Sequence, residues 1–138
     1  MNWVIGIALV LALVIVPFGL YVRLAPSDPD TWHAMPEAIT ERDLAGGAMR
    51  VVGAGEDGLA RLDAIIRAEP RTRVLAGSLE DGKITYVTRS QLWGFPDYTT
   101  MRLSDKQIEL YSRLRFGQSD MGVNAERLDR WLSQFAQR

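Results

Sequence analysis

The sequence predicts an α+β protein, in which a single N-terminal transmembrane helix precedes a small antiparallel sheet with helices packed on one face. Three observations predict this fold. Residues 3–22 contain no charged side chain, several later runs have strand composition between turn residues, and two stretches place apolar residues at helical spacing. The chain is therefore expected to divide into an anchor at 1–24, a linker at 25–47 and a globular domain at 48–138.

The apolar run at residues 3–22 predicts a membrane anchor. At about 1.5 Å of rise per residue, it matches the roughly 30 Å hydrocarbon core of a bilayer. Trp3 and Tyr21 suit the two aromatic belts at the membrane interfaces. A cleaved signal peptide is the alternative, but the first two residues carry no basic side chain and Pro26 would obstruct cleavage after Ala25.

Small residues along the anchor predict a surface for packing against another helix, because they let two backbones approach closely. A helix alone in lipid is the alternative. The candidate packing residues are Gly6, Ala8, Ala12 and Gly19.

The globular domain is expected to have the element order βαββββα. The amphipathic stripes predict one helix that carries Leu59 to Ile66 and ends before Pro70, and a last helix from about Asn124, as its N-cap, to Gln137. Turn residues at Glu80-Asp81-Gly82 and Ser104-Asp105-Lys106 predict two hairpins. The expected strands are residues 48–52, 73–79, 83–90, 98–103 and 107–116.

Composition excludes several classes of function. The chain has 16 basic and 17 acidic residues, so its formal net charge of −1 argues against a nucleic acid partner. The absence of cysteine excludes disulfides, thiolate metal sites and cysteine nucleophiles. The single histidine, His33, has no second imidazole to complete a metal site. We therefore expect no metal and no cofactor.

The run Gly53-Ala54-Gly55-Glu56-Asp57-Gly58 fits the GxGxxG dinucleotide pattern. Its two carboxylates would lie where a pyrophosphate binds, and a hairpin follows instead of a second βα unit. A Gly-rich turn before a helix is the favoured interpretation.

Two surfaces are candidates for binding. Strand parity places Arg89, Arg102, Arg113 and Arg115 on the sheet face opposite the apolar core, where guanidinium groups suit phosphate or carboxylate. A solvated face with cross-strand ion pairs is the alternative. Trp93 and Phe95 lie in an aromatic loop between strands, which is expected either to contact a partner or the membrane interface, or to cap the core.

The segment Tyr111 to Leu128, YSRLRFGQSDMGVNAERL, resembles the hallmark SxSRxGxSDxGxNxxRI of domain-of-unknown-function family 1499. Residues 95–103, FPDYTTMRL, resemble that family's F-x-D-D-V-E strand, with Tyr98 in place of the second Asp. The resemblance implies an exported or membrane-anchored head that faces the periplasm, with no established catalysis. Whether the hallmark is structural or a ligand site stays open, and the candidate residues are Arg113, Ser119, Asp120, Asn124 and Arg127.

Three functions follow from these observations. The leading expectation is a non-catalytic accessory or assembly subunit of an inner-membrane complex, respiratory or photosynthetic, with membrane lipids and other subunits as partners. The alternative is a periplasmic module that binds lipid headgroups or a small anion through arginines, for which an empty, arginine-lined pocket would be support. The third is a hydrolase that acts through Ser119 or Asp120.

Overall fold

The computed structural model describes residues 2–137 and confirms the α+β fold with one apolar N-terminal helix. Four helices and six strands alternate in the order ααββαββββα. Their bounds are α1 Asn2–Leu24, α2 Pro29–Trp32, β1 Arg42–Leu44, β2 Gly47–Gly53, α3 Gly58–Arg67, β3 Thr72–Ser78, β4 Lys83–Arg89, β5 Pro96–Ser104, β6 Gln107–Leu114 and α4 Val123–Ala136.

The six strands form one antiparallel sheet in the order β1-β2-β6-β5-β4-β3. Helices α3 and α4 pack on one face, where apolar side chains of β2, β4, β5 and β6 close the core. The most buried large members of this core are Leu62, Ile66, Ile84, Tyr86, Met101, Ile108, Leu110, Leu128 and Trp131. The alternation of apolar and polar residues in β6 predicts this arrangement because successive strand residues face opposite sides of a sheet.

The N-terminal residues of the head differ from the expected linker. Residues 25–41 lie across the sheet face opposite α3 and α4, and we call this segment the strap. Trp32 of the strap stacks on Tyr98, with ring centroids 4.1 Å apart. Strand β1 then adds an edge to the sheet. These three residues are too few and too polar to show a strand period, so the sequence did not predict them.

The start of α4 also differs from expectation. Gly122, in a left-handed conformation with φ of 79°, occupies the N-cap position, and Asn124 lies inside the helix. The Asp120 carboxylate performs the capping, because it accepts hydrogen bonds from the backbone N–H groups of Gly122 and Asn124, both at 3.0 Å.

Helix α1 meets the criteria of length and hydropathy for a membrane span, which fits either an anchor or a signal sequence. Its C-terminal end packs against the head. Phe18 lies 6.3 Å from Phe95, and Tyr21 lies 6.0 Å from Phe116, between ring centroids. Val22 is fully buried. The segments that carry Phe95 and Phe116, next to β5 and β6, therefore form the end of the head that contacts α1.

Candidate functional site

The four arginines of the predicted surface share one sheet face, as strand parity indicated, but the strap, the end of α1 and the aromatic loop cover that face. All four donate hydrogen bonds to backbone carbonyls there. Arg89 binds Val22 O and Gly94 O, Arg102 binds Pro36 O and Glu37 O, Arg113 binds Trp32 O and Ala34 O, and Arg115 binds Pro26 O. Much of the predicted ligand surface thus holds the strap in place.

Arg113 is the most buried of these arginines, at 8% exposed. Its guanidinium also donates to Thr100 Oγ1 at 2.8 Å and lies 4.7 Å from the ring centroid of Tyr111. Burial lowers the pKa of Arg113 to about 10 because the interior disfavours the charged form. Four acceptors and two aromatic faces keep the side chain protonated at neutral pH, and its role is to fasten the strap.

The hallmark residues divide into two groups. Asn124 and Arg127 lie on the buried face of α4. Asn124 Oδ1 accepts hydrogen bonds from Ser112 Oγ at 2.6 Å and from Arg127 Nη1 at 2.7 Å. Arg127 also pairs with Asp97 at 3.3 Å. Burial raises the pKa of the Asp97 carboxyl, and the Arg127 charge opposes that shift. This network ties β5 and β6 to the first turns of α4.

The remaining hallmark residues serve the turn before α4. Ser119 Oγ accepts from the backbone N–H of Met121 at 3.2 Å, and Asp120 caps the helix. Arg113 lies on the opposite sheet face and does not join them. The structure therefore separates the predicted ligand site into a buried network, a turn and a strap contact.

The aromatic loop lies at the end of the head that contacts α1. Phe95 packs between Phe18 and Phe116, whereas Leu92 is 77% exposed and Trp93 is 38% exposed. The Trp93 ring lies against Gly19 of α1, where a Cβ atom would be 3.8 Å from it. Gly19, predicted to face another helix, thus receives a side chain of the head.

The other small residues of α1 lie on two faces. Ala8 and Ala12 lie on the same side of the helix as Gly19, because spacings of four and seven residues return to one face. Gly6 points elsewhere and lines a shallow apolar groove with Trp3 and Val10.

A cavity of about 570 Å³ lies between the end of α1, the start of β3 and the end of β4. Four arginines from three separate segments line it, together with hydroxyl and amide side chains. The lining residues are Arg23, Arg71, Thr72, Arg73, Val87, Arg89, Ser90, Gln91 and Gly94. We call it the arginine cavity. Of its arginines, only Arg89 belongs to the predicted set.

Backbone contacts fix two walls of the arginine cavity. Arg23 Nη2 donates to Leu92 O at 2.7 Å, which joins α1 to the aromatic loop. Arg71 Nε donates to Arg89 O at 3.0 Å, which joins the segment before β3 to the end of β4. Arg71 has a φ of 56°, in the left-handed region that costs a non-glycine residue about 1 kcal/mol or more.

The electrostatics of the arginine cavity are unbalanced. Within residues 2–137, no carboxylate lines it, and none of its four arginines takes part in an ion pair. Burial lowers the pKa of Arg89, and the charges of Arg73, Arg115 and Arg23 lower it further. A bound anion would oppose this effect at Arg89, because a nearby negative charge stabilises a protonated guanidinium group.

The sequence motifs set aside above lie elsewhere. The Gly53–Gly58 turn is at the opposite end of the sheet, beside an apolar cavity lined by Leu79 and Leu103. His33 lies in the strap, and its Nδ1 is 2.8 Å from Thr85 Oγ1 of β4. Within the described part of the chain, no group of three or more potential metal ligands occurs.

The model of the family described as "Protein of unknown function (DUF1499)" matches residues 22–135, which is most of the chain. No curated protein and no solved structure matches the chain significantly.

Proposed function

We propose a function for this chain, which belongs to the DUF1499 family, from its own geometry: it is a single-pass membrane protein whose head binds an anionic group in the arginine cavity. One observation carries the proposal. Four arginine residues line a cavity of about 570 Å³ that no carboxylate lines within residues 2–137. Guanidinium groups bind phosphate and carboxylate oxygens through paired N–H donors, so an oxyanion is the ligand class.

The unpaired charges support this proposal over a structural role. Arg102 shows what a structural arginine of this sheet looks like, because it pairs with Glu109 at 2.5 Å and also holds the strap. Arg73, by contrast, is exposed, lines the cavity and makes no ion pair within the described chain. Like charges held close together repel, and a bound anion relieves that repulsion.

Anion-dependent stability tests the proposal. The full chain, purified in a neutral detergent, is heated with inorganic phosphate or with chloride at equal ionic strength. We expect phosphate to raise the Tm because a ligand that binds only the folded state stabilises it. The double variant Arg71→Gln and Arg73→Gln should lose this rise. The matched control, Arg42→Gln and Lys106→Gln, also removes two charges but leaves the cavity intact and should keep it. An equal phosphate effect in both double variants would contradict the proposal.

The same function is proposed to be non-catalytic. Ser119 and Asp120, the residues of the hydrolase hypothesis, use their side-chain oxygens to accept backbone N–H groups. Asp120→Asn should therefore affect the stability of α4 and leave anion binding unchanged. Hydrolysis of a phosphate or carboxylate ester that is lost in this variant would overturn the non-catalytic assignment.

An accessory subunit of an inner-membrane respiratory or photosynthetic complex remains the second proposal. One feature favours it: Ala8 and Ala12 form an exposed seam on the same side of α1 as Trp93. The variant Ala8→Leu and Ala12→Leu should lose any membrane protein that co-purifies from native membranes in mild detergent. Val10→Leu and Val14→Leu add bulk to another side of α1 and should retain it. Purification of the wild-type chain without a stoichiometric partner would refute this second function.

A further inference from the structure

We infer that the ligand of the arginine cavity is the phosphate of an anionic phospholipid in the same bilayer that holds α1. The inference rests on the proposed function and adds the source of the anion. Its basis is the depth of the cavity relative to the membrane-spanning helix.

The arginine cavity begins where the membrane span ends. Arg23 belongs to the last turn of α1 and also lines the cavity, and Arg89 donates to Val22 O at 3.2 Å. A bilayer has a hydrocarbon core of about 30 Å and an overall thickness of about 40–45 Å, so the headgroup layer on each side is about 5–8 Å deep. Helix α1, with 23 residues, fills the core, and Arg23 then lies at the level of the lipid phosphates.

The aromatic loop places the head against the same layer. Trp93 packs beside Gly19, which is one turn, or about 6 Å, deeper along α1 than Arg23. Tryptophan favours the boundary between headgroups and hydrocarbon. Leu92, which directly precedes Trp93, is 77% exposed in the protein and would be buried in lipid at that depth. Burying this loop holds the head on the bilayer, with the cavity open at headgroup level.

Charge and chemistry fit a lipid phosphate. Four arginines line the cavity, together with the neutral polar residues Ser90 and Gln91. Ser90 Oγ accepts from the backbone N–H of Phe95, which leaves its O–H as a donor. A lipid phosphate takes the charged donors, and the hydroxyl groups of a polar headgroup suit the neutral ones. Basic pockets beside membrane-spanning helices recognise lipid headgroups on the same principle.

Thermal unfolding in nanodiscs separates a lipid from a free anion. The full chain is placed in nanodiscs of phosphatidylcholine alone or of phosphatidylcholine with 30% phosphatidylglycerol, each with and without inorganic phosphate. We expect phosphatidylglycerol to raise the Tm of the wild type and of the Arg42→Gln, Lys106→Gln control. The rise should be lost in the Arg71→Gln, Arg73→Gln variant, and phosphate should add nothing once phosphatidylglycerol is present.

Three results would overturn the inference. If phosphate raises the Tm equally in both nanodiscs through Arg71 and Arg73, the ligand is a free anion and only the proposed function survives. If neither phosphate nor phosphatidylglycerol acts through these arginines, both the inference and the proposed function fail. If phosphatidylglycerol acts equally on both double variants, the effect is general surface charge and not a site.

The depth of the loop is tested with single spin labels, which the cysteine-free sequence makes unambiguous. A label at Leu92→Cys should be accessible to oxygen and shielded from a water-soluble nickel complex. A label at Leu79→Cys, on the hairpin at the opposite end of the sheet, should show the reverse. A label at position 92 that is as accessible to nickel as the label at position 79 would refute the seating of the head on the bilayer.

Discussion

Arg71 combines a strained backbone with a side chain that lines the arginine cavity. A left-handed φ of 56° disfavours any residue with a Cβ atom, and turns that need it ordinarily use glycine. Arg71 retains its side chain there, and strain of this kind is tolerated where surrounding structure or function demands it. At this position, backbone stability favours glycine, whereas the proposed anion binding requires the arginine side chain.

Comparing Arg71→Gly with Arg71→Ala tests that separation. Both variants remove the guanidinium and its hydrogen bond to Arg89 O, so they differ only in backbone preference. We expect the alanine variant to have a free energy of unfolding lower by about 1 kcal/mol, because only glycine adopts this φ without cost. Denaturant unfolding followed by far-UV circular dichroism gives the difference in the free energy of unfolding. Equal stabilities would mean that the backbone relaxes and that Arg71 bears no strain.

His33 makes the strap sensitive to acid. Burial lowers the pKa of His33 below its usual value of 6.5, and the nearby Lys83 charge lowers it further. The unfolded chain therefore binds a proton more readily than the folded chain. The free energy of unfolding should be constant above pH 6.5 and should fall as the pH drops from 6.5 through the folded pKa.

Proton NMR measures this pKa directly, because the chain has a single histidine. The imidazole C2 proton of the full chain in detergent should titrate with a midpoint below 6.5. In the variant His33→Gln, the decrease in stability over that pH window should become smaller. A midpoint at or above 6.5 would show that the imidazole is not buried against Thr85 and Lys83.

At the scale of elements, periodicity explains what the sequence predicts and what it misses. Helices α3 and α4 carry apolar residues at helical spacing, and β6 alternates apolar and polar residues. The strands β2 to β5 follow from strand composition between turn residues, and the structure confirms all of these elements. The strap has no period, because it packs through one aromatic stack and through backbone carbonyls. The arginines of the sheet donate to backbone carbonyls of the strap, and such contacts do not depend on the side chains of the strap. Its sequence therefore shows no periodic pattern and predicts a linker.

Trp32→Ala should release the strap. Its ring stacks on Tyr98, which is fully buried, and its carbonyl accepts from Arg113. Because Trp32 is half-buried, we expect a loss of about 2 kcal/mol, below the 3–5 kcal/mol of a core tryptophan. A Glu-specific protease should then cleave at Glu37 and Glu41 faster than in the wild type. Trp3→Ala, at the far end of α1, is the matched control and should leave both properties unchanged.

At the scale of the whole molecule, the arginine cavity exists only because three distant segments meet. Arg23 lies in the last turn of α1, Arg71 and Arg73 lie on either side of Thr72 at the start of β3, and Arg89 ends β4. The sequence indicates that arginines share a sheet face, since strand parity is local. It does not indicate that the C-terminal end of α1 packs beside the end of β4, because that contact depends on aromatic residues such as Phe18, Trp93 and Phe95. The sequence therefore predicts that arginines form a binding surface, but it does not predict which arginines line the cavity.

The orientation of the whole chain in the membrane is a further question of this scale. We propose that α1 anchors the protein in the bacterial inner membrane and that the head lies in the periplasm. The family resemblance supports this orientation, whereas Arg23, directly after the apolar run of α1, favours a cytoplasmic head by one charge. Leu79 lies on the β3–β4 hairpin, at the end of the sheet opposite α1, and is 44% exposed, so a cysteine in its place should be accessible. In intact spheroplasts of a bacterial host, a maleimide that cannot cross membranes should label this cysteine without lysis. Labelling that appears only after lysis would place the head in the cytoplasm, where the arginine cavity would face the lipids of the inner leaflet.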